Sequence, residues 1–88
     1  MPDSKLMELA DRLEREAETA DLDEERRQGL HELAERVRTR ALAPRGETPD
    51  EDRIEDAVQD ALTEFELSHP RLTTILDHIL TTLSSLGI

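Results

Sequence analysis

The stretch that decides the fold comes last: Ser68-His69-Pro70-Arg71-Leu72-Thr73-Thr74-Ile75-Leu76-Asp77-His78-Ile79-Leu80-Thr81-Thr82-Leu83-Ser84-Ser85-Leu86-Gly87-Ile88. Pro70 suits the first position of a helix, where a missing N–H costs nothing. The residue before a proline is pushed out of helical conformation, so His69 is the expected cap, with Ser68 as the alternative. From there Leu72, Ile75, Leu76, Ile79, Leu80, Leu83 and Leu86 recur at helical spacing. At ~100° per residue they share roughly 140° of arc. Thr73, Thr74, Asp77, His78, Thr81, Thr82, Ser84 and Ser85 take the other side. Gly87 is placed to close the helix in left-handed conformation, with Ile88 folding back over Leu83. So wide an apolar face has to be covered by the rest of the chain or by a second copy of it.

Working backwards, Leu67 to Pro70 reads as a turn, and a third helix precedes it. Thr48-Pro49-Asp50-Glu51 is its start signal: Thr48 caps, Pro49 takes the first helical position, and Glu51 closes a capping box. Ile54, Ala57, Val58, Ala61, Leu62 and Phe65 line its apolar side. Ala43-Pro44-Arg45-Gly46-Glu47 breaks helix and is polar, the clearest boundary in the chain.

Before that boundary two helices are expected. The first runs from about Ser4 to Ala20, capped by Asp3 or Ser4, with Leu6, Leu9, Ala10, Leu13, Ala17 and Ala20 in one narrow stripe. Glu8–Arg12 and Asp11–Arg15 are favourable i,i+4 pairs along it. Asp21-Leu22-Asp23 is a short connection whose aspartates cap the second helix, in which Leu30, Leu33, Ala34, Val37 and Ala41 point inward to about Leu42. Gly29 is interior to that helix and costs about 1 kcal/mol relative to alanine. The strings Leu6 to Leu13 and Leu30 to Val37 echo each other, as two Leu/Ala seams of equal spacing do. Joined by a tight turn, they make an antiparallel hairpin.

The expected architecture is therefore all-α and one domain: a hairpin over 4–42, a linker over 43–49 and a hairpin over 50–88. The two form a four-helix bundle or a coiled-coil-like helical assembly. At 88 residues the core is small, and oligomerisation is a common supplement. The stripe of the last helix is wider than the two narrow seams before it, which favours a homo-oligomer.

Composition closes several functional classes. Phe65 is the only aromatic residue, so the core is built from aliphatic seams. With no cysteine, disulfides, thiol catalysis and Cys-based metal sites are excluded. The net charge of −11, with Lys5 the only lysine, argues against a nucleic-acid partner, since phosphate contacts need a basic face. The first residues carry no basic region followed by an apolar run, and no run is long enough to span a bilayer. No membrane association and a cytoplasmic location are expected. The acidity is uneven. Residues 47–66 hold nine carboxylates against Arg53 alone, whereas 67–88 is neutral.

The closing signature resembles a family. Phe65-Glu66-Leu67-Ser68-His69-Pro70-Arg71-Leu72-Thr73, then Leu76 and Ile79, then Leu83-Ser84-Ser85-Leu86-Gly87-Ile88, is similar to a small, mainly bacterial family of unknown function. Its members are about this long and end in a His-Pro-x-Leu-Thr helix closing on Leu-Gly-Ile. The resemblance implies an all-α fold and carries no catalytic residue with it.

Candidate chemistry is sparse. His69 beside Ser68 is the conspicuous pair, but capping accounts for it. His31, His69 and His78 lack the H-x3-H and H-E-x-x-H spacings of metal sites. No serine sits on a nucleophile elbow and no Gly-rich loop is present. The expectation is a non-catalytic protein with no cofactor and no metal, acting through protein–protein interaction or self-assembly. The polar face of the last helix, Thr74, His78, Thr81, Thr82 and Ser85, is the expected partner surface, because it is nearly uncharged in a highly charged chain. The alternative is an acidic decoy or inhibitor that binds a basic protein through the 47–66 helix.

Overall fold

The computed structural model describes residues 4–42 and 54–86 and forms four α-helices. They are α1 (Ser4–Thr19), α2 (Glu24–Leu42), α3 (Ile54–Phe65) and α4 (Pro70–Leu86). Each packs on its neighbours in chain order and α1 closes the ring against α4, with the α1–α2 seam the most extensive and the α2–α3 seam the thinnest. The start of α2 meets the end of α3 through Arg26 and Glu64, so the neighbours run antiparallel in an up-down bundle about 37 Å long and 19 Å across. No helix among the described residues is long and apolar enough to cross a membrane.

The predicted stripes are the core. Leu6, Leu9, Ala10, Leu13 and Ala17 of α1 and Leu30, Leu33, Ala34, Val37 and Ala41 of α2 are all buried. From α3 come Ile54, Val58 and Phe65, and from α4 Leu72, Leu76, Ile79 and Leu83. Complete burial of such a side chain is worth about 1.5–3 kcal/mol. No polar side chain among the described residues is buried, so shape and apolar area alone hold the interior.

The width of the α4 stripe turns out to need no second chain. Its four central residues are at most 1 % exposed within one copy, and Ile75 and Leu80 pack half-buried at the edges. The narrow seams of α1 and α2 cover more than their width suggests. Alanines at positions 10, 17 and 34, each 0 % exposed, let the helices approach closely, so a narrow stripe meets a broad one at short range.

The helix ends follow local chemistry. Asp23 caps α2: its Oδ1 accepts from the Arg26 N–H at 3.0 Å, and its carbonyl accepts the first helical bond from Arg27. His69 caps α4 with its backbone, its carbonyl accepting from the Thr73 N–H at 3.0 Å. The Thr73 hydroxyl is 3.1 Å from the carbonyl oxygens of both His69 and Phe65, which fastens the first turn of α4 to the last turn of α3. Arg27 does the same for the other hairpin, donating to the carbonyls of Ala17 and Leu22 and so satisfying the orphan acceptors at the end of α1. The expected caps at Asp3, Thr48 and Glu51, the linker over 43–49, and the Gly87–Ile88 stop lie outside the described residues.

Two substitutions test this packing by urea unfolding. Leu76→Ala should cost about 2–5 kcal/mol, the usual range for a leucine cavity. Gly29→Ala should stabilise by about 0.5–1 kcal/mol, because a Cβ built there meets nothing within 4 Å. A neutral Leu76→Ala would show that α4 is not central to the core.

Candidate interaction surfaces

The expected partner surface stands on the outside of α4. Thr74, His78, Thr81 and Ser85 are exposed and Thr82 is half-buried. Several hydroxyls are already engaged by their own helix: Thr74 donates to the Pro70 carbonyl, Thr82 to that of His78 and Ser85 to that of Thr82. Such back-bonded hydroxyls keep acceptor lone pairs but give up their donor. Apart from the exposed Asp77 beside it, the strip is only weakly polar.

The three histidines are separated by role. His69 has its Nδ1 3.0 Å from the Ser68 hydroxyl and its ring edge-on to Phe65, with centroids 5.6 Å apart. No carboxylate among the described residues bonds this ring, so nothing there orients it as a base towards Ser68. His78 lies on the exposed strip. His31 is the one that meets other chemistry. Among the described residues no group of three His, Asp or Glu side chains is arranged to hold a metal ion.

His31 of α2 sits between two carboxylates of α1, with Nδ1 3.2 Å from Glu14 and Nε2 2.6 Å from Glu18. Glu14 and Glu18 are i,i+4 neighbours and so project from one side of α1. Glu14 also accepts from Arg38 at 2.5 Å, and Arg38 reaches Asp11 at 2.7 Å and Glu35 at 3.1 Å. Asp11 thus takes a cross-helix partner instead of the expected Arg15, while the expected Glu8–Arg12 pair forms at 3.1 Å. Arg38 is only 21 % exposed against 53 % for Asp11, so its cross-helix bond is better shielded than an ordinary surface pair. The bonds from Arg38 and His31 lower the Glu14 pKa, and those to Glu14 and Glu18 raise that of His31.

Among the open grooves on the described surface are two that flank the bundle. The first lies along the thin α2–α3 seam, about 460 Å³, with Leu30, Leu33 and Phe65 on its floor and Gly29, Ala57 and Ala61 leaving space above them. Its rim carries Glu25, Glu32, Asp60 and Glu64 against Arg26 and Arg36. Arg26 is held by Asp23 and Glu64 at 2.8 Å each, which raises its pKa further. The second groove, about 520 Å³, lies between α1 and α4, where Arg12, Arg15 and Arg71 outnumber Glu16 beside Thr19, Thr74 and Ile75. Leu42 and Leu67 are the large apolar side chains left exposed among the described residues. They stand singly and form no patch.

Neither groove is visible to periodicity, which reports the inward side of one helix at a time. The His31 clamp was equally hidden. The i,i+4 spacing of Glu14 and Glu18 was its one signal, and the register of α1 on α2 was needed to supply the third member.

The clamp sets a pH dependence. Protonated His31 gains its carboxylates only in the folded chain, so its contribution is complete below the ordinary value of 6.5 and is lost as pH rises through the raised folded value. Glu14 acts oppositely: its contribution is complete above the ordinary 4.5 and is lost as pH falls through the lowered folded value. Both are therefore complete between these ordinary values. The stability difference between the wild type and His31→Gln, followed by urea unfolding from about pH 5 to about pH 9, should be largest at the acidic end and shrink above it. A difference that stays flat would show that the imidazole is not clamped in solution.

No curated protein and no solved structure matches the chain. A family described as a domain of unknown function (DUF4404) matches residues 3–88. That span takes in all four helices and both grooves, and the protein belongs to this family.

Proposed function

We propose that the protein acts without catalysis in the cytoplasm, as a helical module that associates with other protein surfaces and first of all with its own copies. The observation that carries this reading is the nearly uncharged outer strip of α4, Thr74, His78, Thr81 and Ser85 with Asp77 its one carboxylate, on a chain of net charge −11. Two copies so charged repel at long range. At physiological salt that repulsion is screened beyond about 8 Å, and contact is least unfavourable where the fewest carboxylates meet. The reading is further supported by how the polar groups are used: His31 is clamped, His69 caps, and α4 hydroxyls bond their own helix. Sedimentation velocity over a concentration series should show mass rising above 10.0 kDa. Thr81→Glu with Ser85→Glu should weaken the association about tenfold or more, a loss of about 1.4 kcal/mol. A chain that stays monomeric throughout and captures no protein from its host would sink the reading.

The competing reading, an acidic decoy, is favoured by the outer side of α3, where Glu55, Asp56 and Asp60 are exposed and belong to no ion pair among the described residues. It requires a basic protein to co-purify at low salt and to be released by high salt. Absence of such a partner at low salt would remove it.

A further inference from the structure

We propose that the groove between α1 and α4 of one copy docks onto the groove between α2 and α3 of the next. Self-association is then head-to-tail. This assignment rests on the self-association reading above and names the two surfaces it uses.

The argument begins with where the charges lie. The ring order of the helices puts the α1–α4 face opposite the α2–α3 face. The α1–α4 groove is lined by three guanidinium groups and one carboxylate; Arg12 is paired to Glu8, and Arg15 and Arg71 leave it a local basic excess on an acidic protein. The α2–α3 groove has four carboxylates against two guanidinium groups. Neither Arg71 nor Asp60 belongs to an ion pair among the described residues, so each has its charge free for an outside partner. The two groove linings therefore carry opposite excess charge on opposite faces.

Position and shape agree with this. The basic groove is built by the end of α1 and the start of α4, and the acidic one by the first two-thirds of α2 and the second half of α3. Both reach the end of the bundle that holds its two tight turns, so translated copies bring them to overlapping levels. The acidic groove is roomy because Gly29, Ala57 and Ala61 line it, and the nearly uncharged strip of α4 begins at Thr74 on the border of the basic one.

The contact is heterologous, because the two surfaces differ. Such a contact repeats until it closes into a ring or continues as a row. An isologous dimer would instead place like-charged grooves together, which the charge distribution opposes.

Charge-reversal variants test this directly. Arg71→Glu and Asp60→Lys change exposed side chains, and circular dichroism should show both folded. Each alone should weaken self-association at least tenfold by sedimentation velocity. Mixed in equal amounts they should associate again, since the intact acidic groove of one meets the intact basic groove of the other. The mixed species should include one of twice 10.0 kDa. Three outcomes would overturn the assignment: single variants that associate as the wild type does, a mixture that stays monomeric, or a wild type that is monomeric and binds a basic helix instead. If Thr81→Glu with Ser85→Glu weakens association while Arg71→Glu and Asp60→Lys do not, self-association stands and the groove pairing falls.

Discussion

Everything in this bundle depends on burying the stripe of α4 within a single chain. Leu72, Leu76, Ile79 and Leu83 lose essentially all contact with water. Apolar burial drives folding roughly in proportion to the area removed, and a chain with one aromatic residue has few other sources of it. The surrounding helices are shaped to this end. Alanines at the contacts of α1 and α2 bring those helices near, and Thr73 and Arg27 tie the ends of each hairpin so that the stripes meet in register. A core without buried polar side chains is tolerant in composition and strict in volume.

Because no polar side chain among the described residues is buried, their charged groups are confined to the seams and the outside. Between α1 and α2 they form a ladder across the helices, in which Glu14 is shared by His31 and Arg38. Between α2 and α3 the one cross-helix pair among the described residues is Arg26–Glu64, and the seam stays open. The same acidic excess that strengthens one hairpin thus leaves the junction between hairpins loosely packed, and that junction becomes a groove. An open seam in a small domain costs stability, which makes it a natural place for an interaction surface.

The separation of opposite charges onto opposite faces gives the molecule a direction. A protein of net charge −11 would ordinarily be kept apart from its copies. Short-range pairing between a basic groove and an acidic one operates inside the screening distance, where net charge matters least. Membership of the DUF4404 family adds no activity to this picture, so surface chemistry carries the functional argument.

The sequence by itself determined the helices, their apolar stripes, the Asp23 and His69 caps, and the Arg12–Glu8 pair. All of these are local, set within one or two turns by the 3.6-residue period and by orphan backbone groups. The other stripe residues whose burial is described went inside, and Ala20, Ala57, Ala61, Leu62, Ile75 and Leu80 fell half-buried at the edges, where a period alone does not draw the boundary. Only the tertiary structure decided which flanks meet. It gave Asp11 to Arg38 instead of Arg15, closed His31 between Glu14 and Glu18, showed that one chain covers α4, and left the α2–α3 seam open. The reason is geometric: a residue's side of its own helix is read from spacing, but its neighbour across a seam depends on the rotation and register of two helices. That register is fixed by packing contacts between residues far apart in the chain.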